Sequence, residues 1–245
     1  ADRVVASLFV NPTQFAPHED FGSYPRTRER DLELLSGVGC DLVYCPEIAD
    51  IYPFGVPATA VSVPLVSAPL EGVSRPHFFG GVASVVARLF LHVDPHVAVF
   101  GEKDYQQLQV VRRMVADLGF PVEIIGAPTR REPDGLAMSS RNRYLADSER
   151  TVAAEMFASL HRARQRLLVG TPVAEVLAEG VDTLSRAGFG PVDYFALCDA
   201  DTLETLEILP QPGAGRARLL AAAWLGRTRL IDNLAVERVG DTQEG

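Results

Sequence analysis

Several things are scarce in this chain of 245 residues, and each scarcity excludes something. There are only three cysteines, Cys40, Cys45 and Cys198. An odd count with no Cys-x-x-Cys pair argues against a disulfide framework and against a zinc site. It reads as three reduced thiols of a cytoplasmic protein. Basic residues are outnumbered, 23 Lys and Arg against 32 Asp and Glu, for a net charge of −9. Wrapping nucleic acid needs a basic face, so a nucleic-acid partner is not expected. No apolar run approaches the roughly 18–20 residues of a membrane span, so no membrane partner is expected either. The first residues, Ala1-Asp2-Arg3 before Val4–Val10, lack the basic start and cleavage site of a signal peptide. Among the five histidines, only His92 and His96 have helical spacing, and Pro95 breaks the helix that would align them. No metal ligand set is expected. There is no Gly-x-Ser-x-Gly elbow, no Gly-x-x-x-x-Gly-Lys-Ser/Thr loop, no internal repeat and no low-complexity tract.

What is present is an ordinary globular composition, 47% hydrophobic and 22% charged, enough for one large domain or two small ones. The first half alternates strand and helix patterns. Val4–Val10 reads as a strand buried on both faces. A helix is expected over about Thr27–Leu35, a strand over Leu42–Cys45 and a β-like piece over Ala60–Val66. Val82, Val85, Val86, Leu89 and Phe90 mark an amphipathic helix. Val97–Phe100 is a strand, Leu108, Val111, Val115 and Leu118 mark a helix, and Val122–Ile125 is a strand. This alternation implies an α/β fold, an open and mostly parallel sheet with helices on both faces. The second half differs. One long helix fits Asp147–Leu168 and another fits Pro172–Arg186. Strand-like pieces follow at Asp193–Leu197, Arg218–Ala223 and Arg229–Ile231. That order implies a smaller C-terminal α+β domain. The boundary falls near Pro128–Asp134, giving domains 1–129 and 130–245.

Three segments look chemical. The first, Phe100-Gly101-Glu102-Lys103-Asp104-Tyr105-Gln106-Gln107-Leu108, lies where a parallel strand ends and a helix begins, the place where open α/β sheets bind ligands. Gly101 allows close approach to the backbone, the helix start offers N–H groups, and Lys103 adds positive charge. Equally, Asp104 with Gln107 spells an Asp-x-x-Gln capping box that needs no ligand. The second, Asp134-Gly135-Leu136-Ala137-Met138-Ser139-Ser140-Arg141-Asn142-Arg143, offers hydroxyls and guanidinium groups to a triphosphate. Alternatively, Ser139 or Ser140 caps a turn and the arginines are solvated. The third, Asn11-Pro12-Thr13-Gln14-Phe15, follows the first strand. Gln14 there suits a small polar substrate, and a plain Asn-Pro turn is the other reading. All three could converge on one cleft.

In sequence and order, these segments resemble the pantoate–β-alanine ligases, the pantothenate synthetase family. The likeness extends to Glu19-Asp20, Tyr24-Pro25-Arg26, Val192-Asp193-Tyr194 and Arg229-Leu230-Ile231-Asp232-Asn233, and so covers nearly the whole chain. It implies a Rossmann-like nucleotidyltransferase fold and an adenylate-forming reaction. ATP, with Mg²⁺, and pantoate would give pantoyl adenylate and pyrophosphate, and β-alanine would then displace AMP. By position, Gln14 and Gln107 would hold pantoate, with Asn11, Tyr24 and Arg75 beside them on the pantoate and β-alanine side. Gly101, Glu102 and Asp104 would line the ATP site, with Gly101 and Asp104 toward the ribose and Lys103 on the phosphates. Met138, Ser139, Ser140 and Arg141 would form a phosphate loop, and Arg130 stands where the family uses an apolar backbone contact to adenine. Lys103, Ser139 and Arg141 would carry the catalysis, by stabilising charge that moves onto pyrophosphate. A homodimer is also implied.

Two departures from the family pattern set further expectations. The family begins with a strand, a Met-Gly turn and a helix carrying His-x-Gly-His, and that motif does not occur here. A βα unit of about 30 residues is then expected to be missing. Sheet edges and apolar faces would be left uncovered. The chain would be either a fragment or a member that has lost the catalytic step. In Arg75-Pro76-His77, the histidine is shifted by one from the family position while Arg75 keeps its place. Two alternative functions stay open, a non-catalytic ATP- and pantoate-binding remnant and an adenylyltransferase for another small hydroxy acid.

Overall fold

The structure, a computed structural model, describes residues 1–14, 22, 27–55 and 58–237. Along the chain, strand β1 (Val5–Ser7) is followed by helix α1 (Arg28–Gly37) and by β2 (Leu42–Tyr44), which pairs in parallel with β1. Three single-turn helices come next: α2 (Ile48–Ile51), α3 (Pro64–Ser67) and α4 (Glu71–Ser74). Then α5 (Phe78–Val93), β3 (Val97–Gly101), α6 (Tyr105–Leu118) and β4 (Glu123–Ala127) form a second parallel unit, with β3 beside β4. The second half holds α7 (Asp147–Ala153), α8 (Glu155–Leu168), α9 (Val173–Arg186) and the strands β5 (Val192–Asp199), β6 (Ala217–Leu225) and β7 (Thr228–Val236). The last three form one antiparallel sheet in the order β5-β6-β7. The expected α/β fold with parallel strands and a smaller α+β portion is therefore the one observed. No helix among the described residues is long and apolar enough to cross a membrane.

Several details depart from the sequence expectations. Only Val5–Ser7 of the first apolar run pairs, and Val4 and Val5 are 50% and 40% exposed. Among the described strands β1 pairs along one edge only, and its side chains are exposed or half-buried, not enclosed on both faces. The parallel strands form two separate pairs rather than one open sheet. Helices cover one face of β3–β4 rather than both. Ala98, Phe100 and Ile124 pack on the core that α5 and α6 build, while Val97, Val99 and Ile125, alternating with them, face outward and are exposed. The piece Ala60–Val66 is not a strand. Pro64 opens helix α3, where its missing N–H costs nothing, and the Val61 N–H donates to Ser84 Oγ at 3.0 Å instead of to a ladder. The long helix expected over Asp147–Leu168 breaks at Ala154, which ends α7 and begins α8.

Two apolar clusters hold these elements. The first joins α5 and α6 through Val82, Val86, Phe90, Leu108 and Val111, and takes in Cys198 and Leu220 from the C-terminal sheet and Ala200 just after β5. The second packs α8 and α9 on that sheet through Leu160, Leu167, Val176, Leu184, Leu197 and Leu219. Gly180 permits this packing, because a Cβ there would lie 2.6 Å from the Phe195 ring. The C-terminal sheet contributes to both clusters, and a cleft opens between its β6–β7 hairpin and the start of α6.

Candidate active site

That cleft has a volume of about 720 Å³. Its walls come from the start of α6, the α4–α5 segment, the 136–144 loop and the β6–β7 hairpin. Five cationic side chains reach it, Arg75, Lys103, Arg141, Arg227 and Arg229, against four carboxylates, Glu71, Asp104, Asp193 and Asp232. A chain that is acidic overall thus has a locally cationic recess.

Lys103 and Asp104 sit on a short 3-10 turn, Glu102–Asp104, between β3 and α6. Asp104 precedes α6 without capping it, so the Asp-x-x-Gln capping reading is not realised. Its carboxylate instead lies 3.5 Å from the Lys103 ammonium and is half exposed. The turn is held from the C-terminal sheet. Asn233 Nδ2 donates to the carbonyls of Glu102 and Lys103 at 3.0 and 2.9 Å. Arg218 donates to Asn233 Oδ1 at 2.7 Å and to Glu102 Oε2 at 3.0 Å, and its guanidinium lies 3.7 Å over the Tyr105 ring.

The second cationic segment hangs from the neighbouring residue of β7. Arg131 grips Asp232 with two hydrogen bonds of 2.6 and 2.9 Å, lies over the Phe157 ring and donates to Gly135 O. Gly135 has φ +93°, and a Cβ there would lie 2.4 Å from Phe157, so the Asp134-Gly135 turn requires glycine. A bridge between Arg131 and Ala137 closes this turn. Beyond it, Ser139 Oγ accepts from Arg141 N–H at 3.3 Å and caps the turn Ser140–Tyr144, as the turn-capping alternative anticipates.

At the other end of the cleft, Glu71 accepts from Arg75 at 3.2 Å and from Arg229 at 2.6 Å, and Arg229 also donates to Asp193 at 2.7 Å. Burial alone would lower the Arg229 pKa, but Glu71 and Asp193 outweigh it and hold the guanidinium charged. Burial, reinforced by Glu71, pushes the nearby Tyr194 phenol well up, so it stays neutral.

Of the residues singled out in the sequence, Arg75, Lys103, Asp104, Gln107, Ser139 and Arg141 line the cleft together. Gln14 lies one hydrogen bond behind its wall, with its carbonyl accepting from Arg75 Nη2 at 3.2 Å. Asn11 is not a wall residue. It is buried, donating to Gly81 O at 3.1 Å and accepting from Tyr52 Oη at 2.9 Å, and so builds the turn that carries Gln14. Gly101, Glu102, Met138 and Ser140 adjoin wall residues without lining the cleft, and Arg130 is exposed outside it. His77 is exposed at the start of α5, next to the wall residue Phe78 but not itself lining the cleft. Tyr24, with Phe15, His18, Glu19 and Asp20, lies outside the described residues. Sequence reasoning missed Glu71, Arg131 and Arg218 altogether. It quoted Arg229, Asp232 and Asn233 without assigning them a role. Their partners lie as far as 158 positions away, and the only local signal was the i, i+4 spacing of Glu71 and Arg75.

Comparison with known proteins places this arrangement in a family. Residues 1–235 match the family model "Pantoate-beta-alanine ligase". The chain is 56% identical over 237 residues to a pantothenate synthetase of Hyphomonas neptunium, covering 96% of this chain and 80% of that protein. Against that of Caulobacter vibrioides it is 54% identical, covering 96% and 82%. A crystal structure of pantothenate synthetase from Thermus thermophilus superimposes with a TM-score of 0.90 at 49% identity, over 96% of this chain and 84% of that one. A crystal structure of pantoate-beta-alanine ligase from Francisella tularensis, complexed with beta-gamma ATP and beta-alanine, superimposes with a TM-score of 0.77 at 30% identity, over 96% and 80%. The chain belongs to the pantoate–β-alanine ligase family.

Proposed function

We propose that this chain joins pantoate to β-alanine at the cost of ATP, and that the 720 Å³ cleft is where it does so. The observation that carries this reading is the convergence of Lys103, Ser139 and Arg141 with Gln107 and Arg75 on one recess of a family member. A carboxylate oxygen of pantoate attacks the α-phosphorus of ATP, the bond to the bridging oxygen breaks, and pyrophosphate leaves. The β-alanine amine then attacks the acyl carbon, the acyl–oxygen bond breaks, AMP leaves, and the amine proton passes to solvent. The chain forms no covalent intermediate of its own. Its work is to hold two anions in line and to stabilise charge moving onto pyrophosphate.

Lys103 and Arg141 take the phosphates, with Ser139 and Ser140 contributing loop N–H groups, and Met138 borders them. Gly101 and Asp104 meet the ribose side, and Glu102 and Arg130 lie on that nucleotide side. Gln107, Gln14, Arg75 and Tyr24 serve pantoate and β-alanine, with Asn11 as support. Mg²⁺ would come bound to the triphosphate. No group of three His, Cys, Asp or Glu side chains among the described residues could hold a metal unaided. Glu71, Asp193 and Asp232 are each paired with arginine, while Asp104 is half exposed. Asp104, on the ribose side and beside Lys103, would be the carboxylate with most freedom to turn to such an ion, which would neutralise phosphate charge. In this reading residues 1–129 hold ATP and pantoate, residues 130–245 close over them, and the protein works in the cytoplasm as a homodimer.

Isotopic labelling tests the adenylate step. With pantoate labelled in both carboxylate oxygens, one labelled oxygen is expected in AMP and the other in the amide of pantothenate. Unlabelled AMP, or label in pyrophosphate, would overturn the reading.

A further inference from the structure

Lys103 stands on a three-residue 3-10 turn between β3 and α6, and only 20% of its side chain is exposed. What ties the backbone of the turn to the C-terminal sheet is an amide 130 residues further along. The Asn233 side chain donates both its hydrogens to consecutive carbonyls, Glu102 O at 3.0 Å and Lys103 O at 2.9 Å. Asn233 is itself 3% exposed and is locked from two sides. Its Oδ1 accepts from Arg218 Nε at 2.7 Å, and its backbone N–H donates to Asp232 Oδ1 at 2.8 Å. The Arg218 bond also fixes which end of the amide faces the turn, because only an oxygen can accept from a guanidinium. Asp232, the preceding residue, anchors Arg131 and through it the Gly135 turn of the serine loop. Both cationic segments of the cleft are therefore tied to one dipeptide of β7.

We propose that Asn233 is a positioning residue for Lys103, setting the turn so that the ammonium meets the phosphates of bound ATP. This rests on the reading of the cleft given above. An amide does this work and a carboxylate does not. Asn233→Asp keeps the size and strengthens the bond to Arg218, but it presents lone pairs where two hydrogens are needed. A role limited to satisfying Arg218 would leave Asn233→Asp equal to the parent protein.

The test uses the full chain and calorimetric titration with ATP and with adenosine, in the parent, Asn233→Asp, Lys103→Ala and the double variant. Asn233→Asp should lower the thermal midpoint, since two carbonyls lose their donor, but remain folded at the assay temperature and keep its adenosine affinity. It should lose about tenfold in ATP affinity, the scale of one or two lost hydrogen bonds. In the Lys103→Ala background, Asn233→Asp should change ATP affinity less than about twofold, because interacting positions are not additive. Equal losses in both backgrounds would show repulsion of ATP by the new charge itself and would overturn the proposal. So would ATP affinity unchanged by Asn233→Asp in a protein that loses it on Lys103→Ala. A parent protein that binds no ATP would overturn the cleft reading, and this proposal with it. If Asn233→Asp unfolds, Asn233→Ser, which offers one shorter donor, is measured in its place. An intermediate loss of ATP affinity is then expected, and no loss would overturn the proposal.

Discussion

Gln106 and Gln107 both border the cleft, but the Gln106 amide is bonded into the fold. The Gln106 side chain accepts from Glu71 N–H at 3.1 Å and donates to Val66 O and Pro69 O at 3.0 and 2.7 Å. It pins the α3–α4 segment, and so Glu71 and Arg75, against α6. The sequence shows two identical neighbours, and only the packing tells which is structural. Gln106→Ala should cost about 1–3 kcal/mol of stability, because it leaves buried backbone groups unpaired. Urea midpoints at constant m-value would measure this, and a change within error would refute the assignment. Cys198 offers a second check. Burial pushes its thiol up to about 11, whereas Cys40 and Cys45 are part-exposed. Mild alkylation near neutral pH should therefore label two thiols in the folded protein and a third only in denaturant. Early labelling of Cys198 would contradict its place in the core.

The segment from Arg131 to Tyr144 shows how far local pattern carried and where it stopped. Asp134-Gly135 was readable as a turn, and it is one. That the turn is clamped by Arg131 to Asp232 on β7 was not readable, because the partners are 101 positions apart. Removing Arg131 strands a carboxylate that is 3% exposed, so Arg131→Ala should destabilise the protein by about 3–5 kcal/mol. Gly135→Ala should also destabilise it, through its left-handed backbone and the Phe157 ring. The same loop carries a pH dependence. A hydrogen bond from Arg150 holds the Asp134 carboxyl below its ordinary range. Between the folded and unfolded pKa values the unfolded chain binds more protons, so stability falls with falling pH there. The contribution is present above about pH 4 and is lost as the pH drops through the lower folded value. Urea midpoints of the parent should fall more on acidification than those of Asp134→Asn, and parallel curves would refute this. Other elements were misread for equally local reasons. A single residue, Ala154, interrupts a helix whose periodicity hardly changes across the break. Pro64 turned an apolar stretch with strand character into the start of a helix.

Across the molecule, the C-terminal sheet is both roof and scaffold. It supplies Arg229 to Glu71, Asn233 to the Lys103 turn and Asp232 to the serine loop, and buries Cys198 and Leu220 in the first core. The alternation of strands and helices made the fold class legible, and the ordered motifs made the family legible. The cross-links between halves were not, since a polar residue in a strand looks the same whether it faces water or a partner 131 positions away. Only the folded chain brings Lys103, Gln107, Ser139 and Arg141 to one recess. The most direct test of that recess as a ligase site is the release of AMP with ATP, Mg²⁺, pantoate and β-alanine, leaving out one substrate at a time. AMP and pantothenate in equal amounts, only when all substrates are present and lost in Lys103→Ala, is the result expected. No AMP from the folded protein, or AMP formed equally without pantoate, would contradict it.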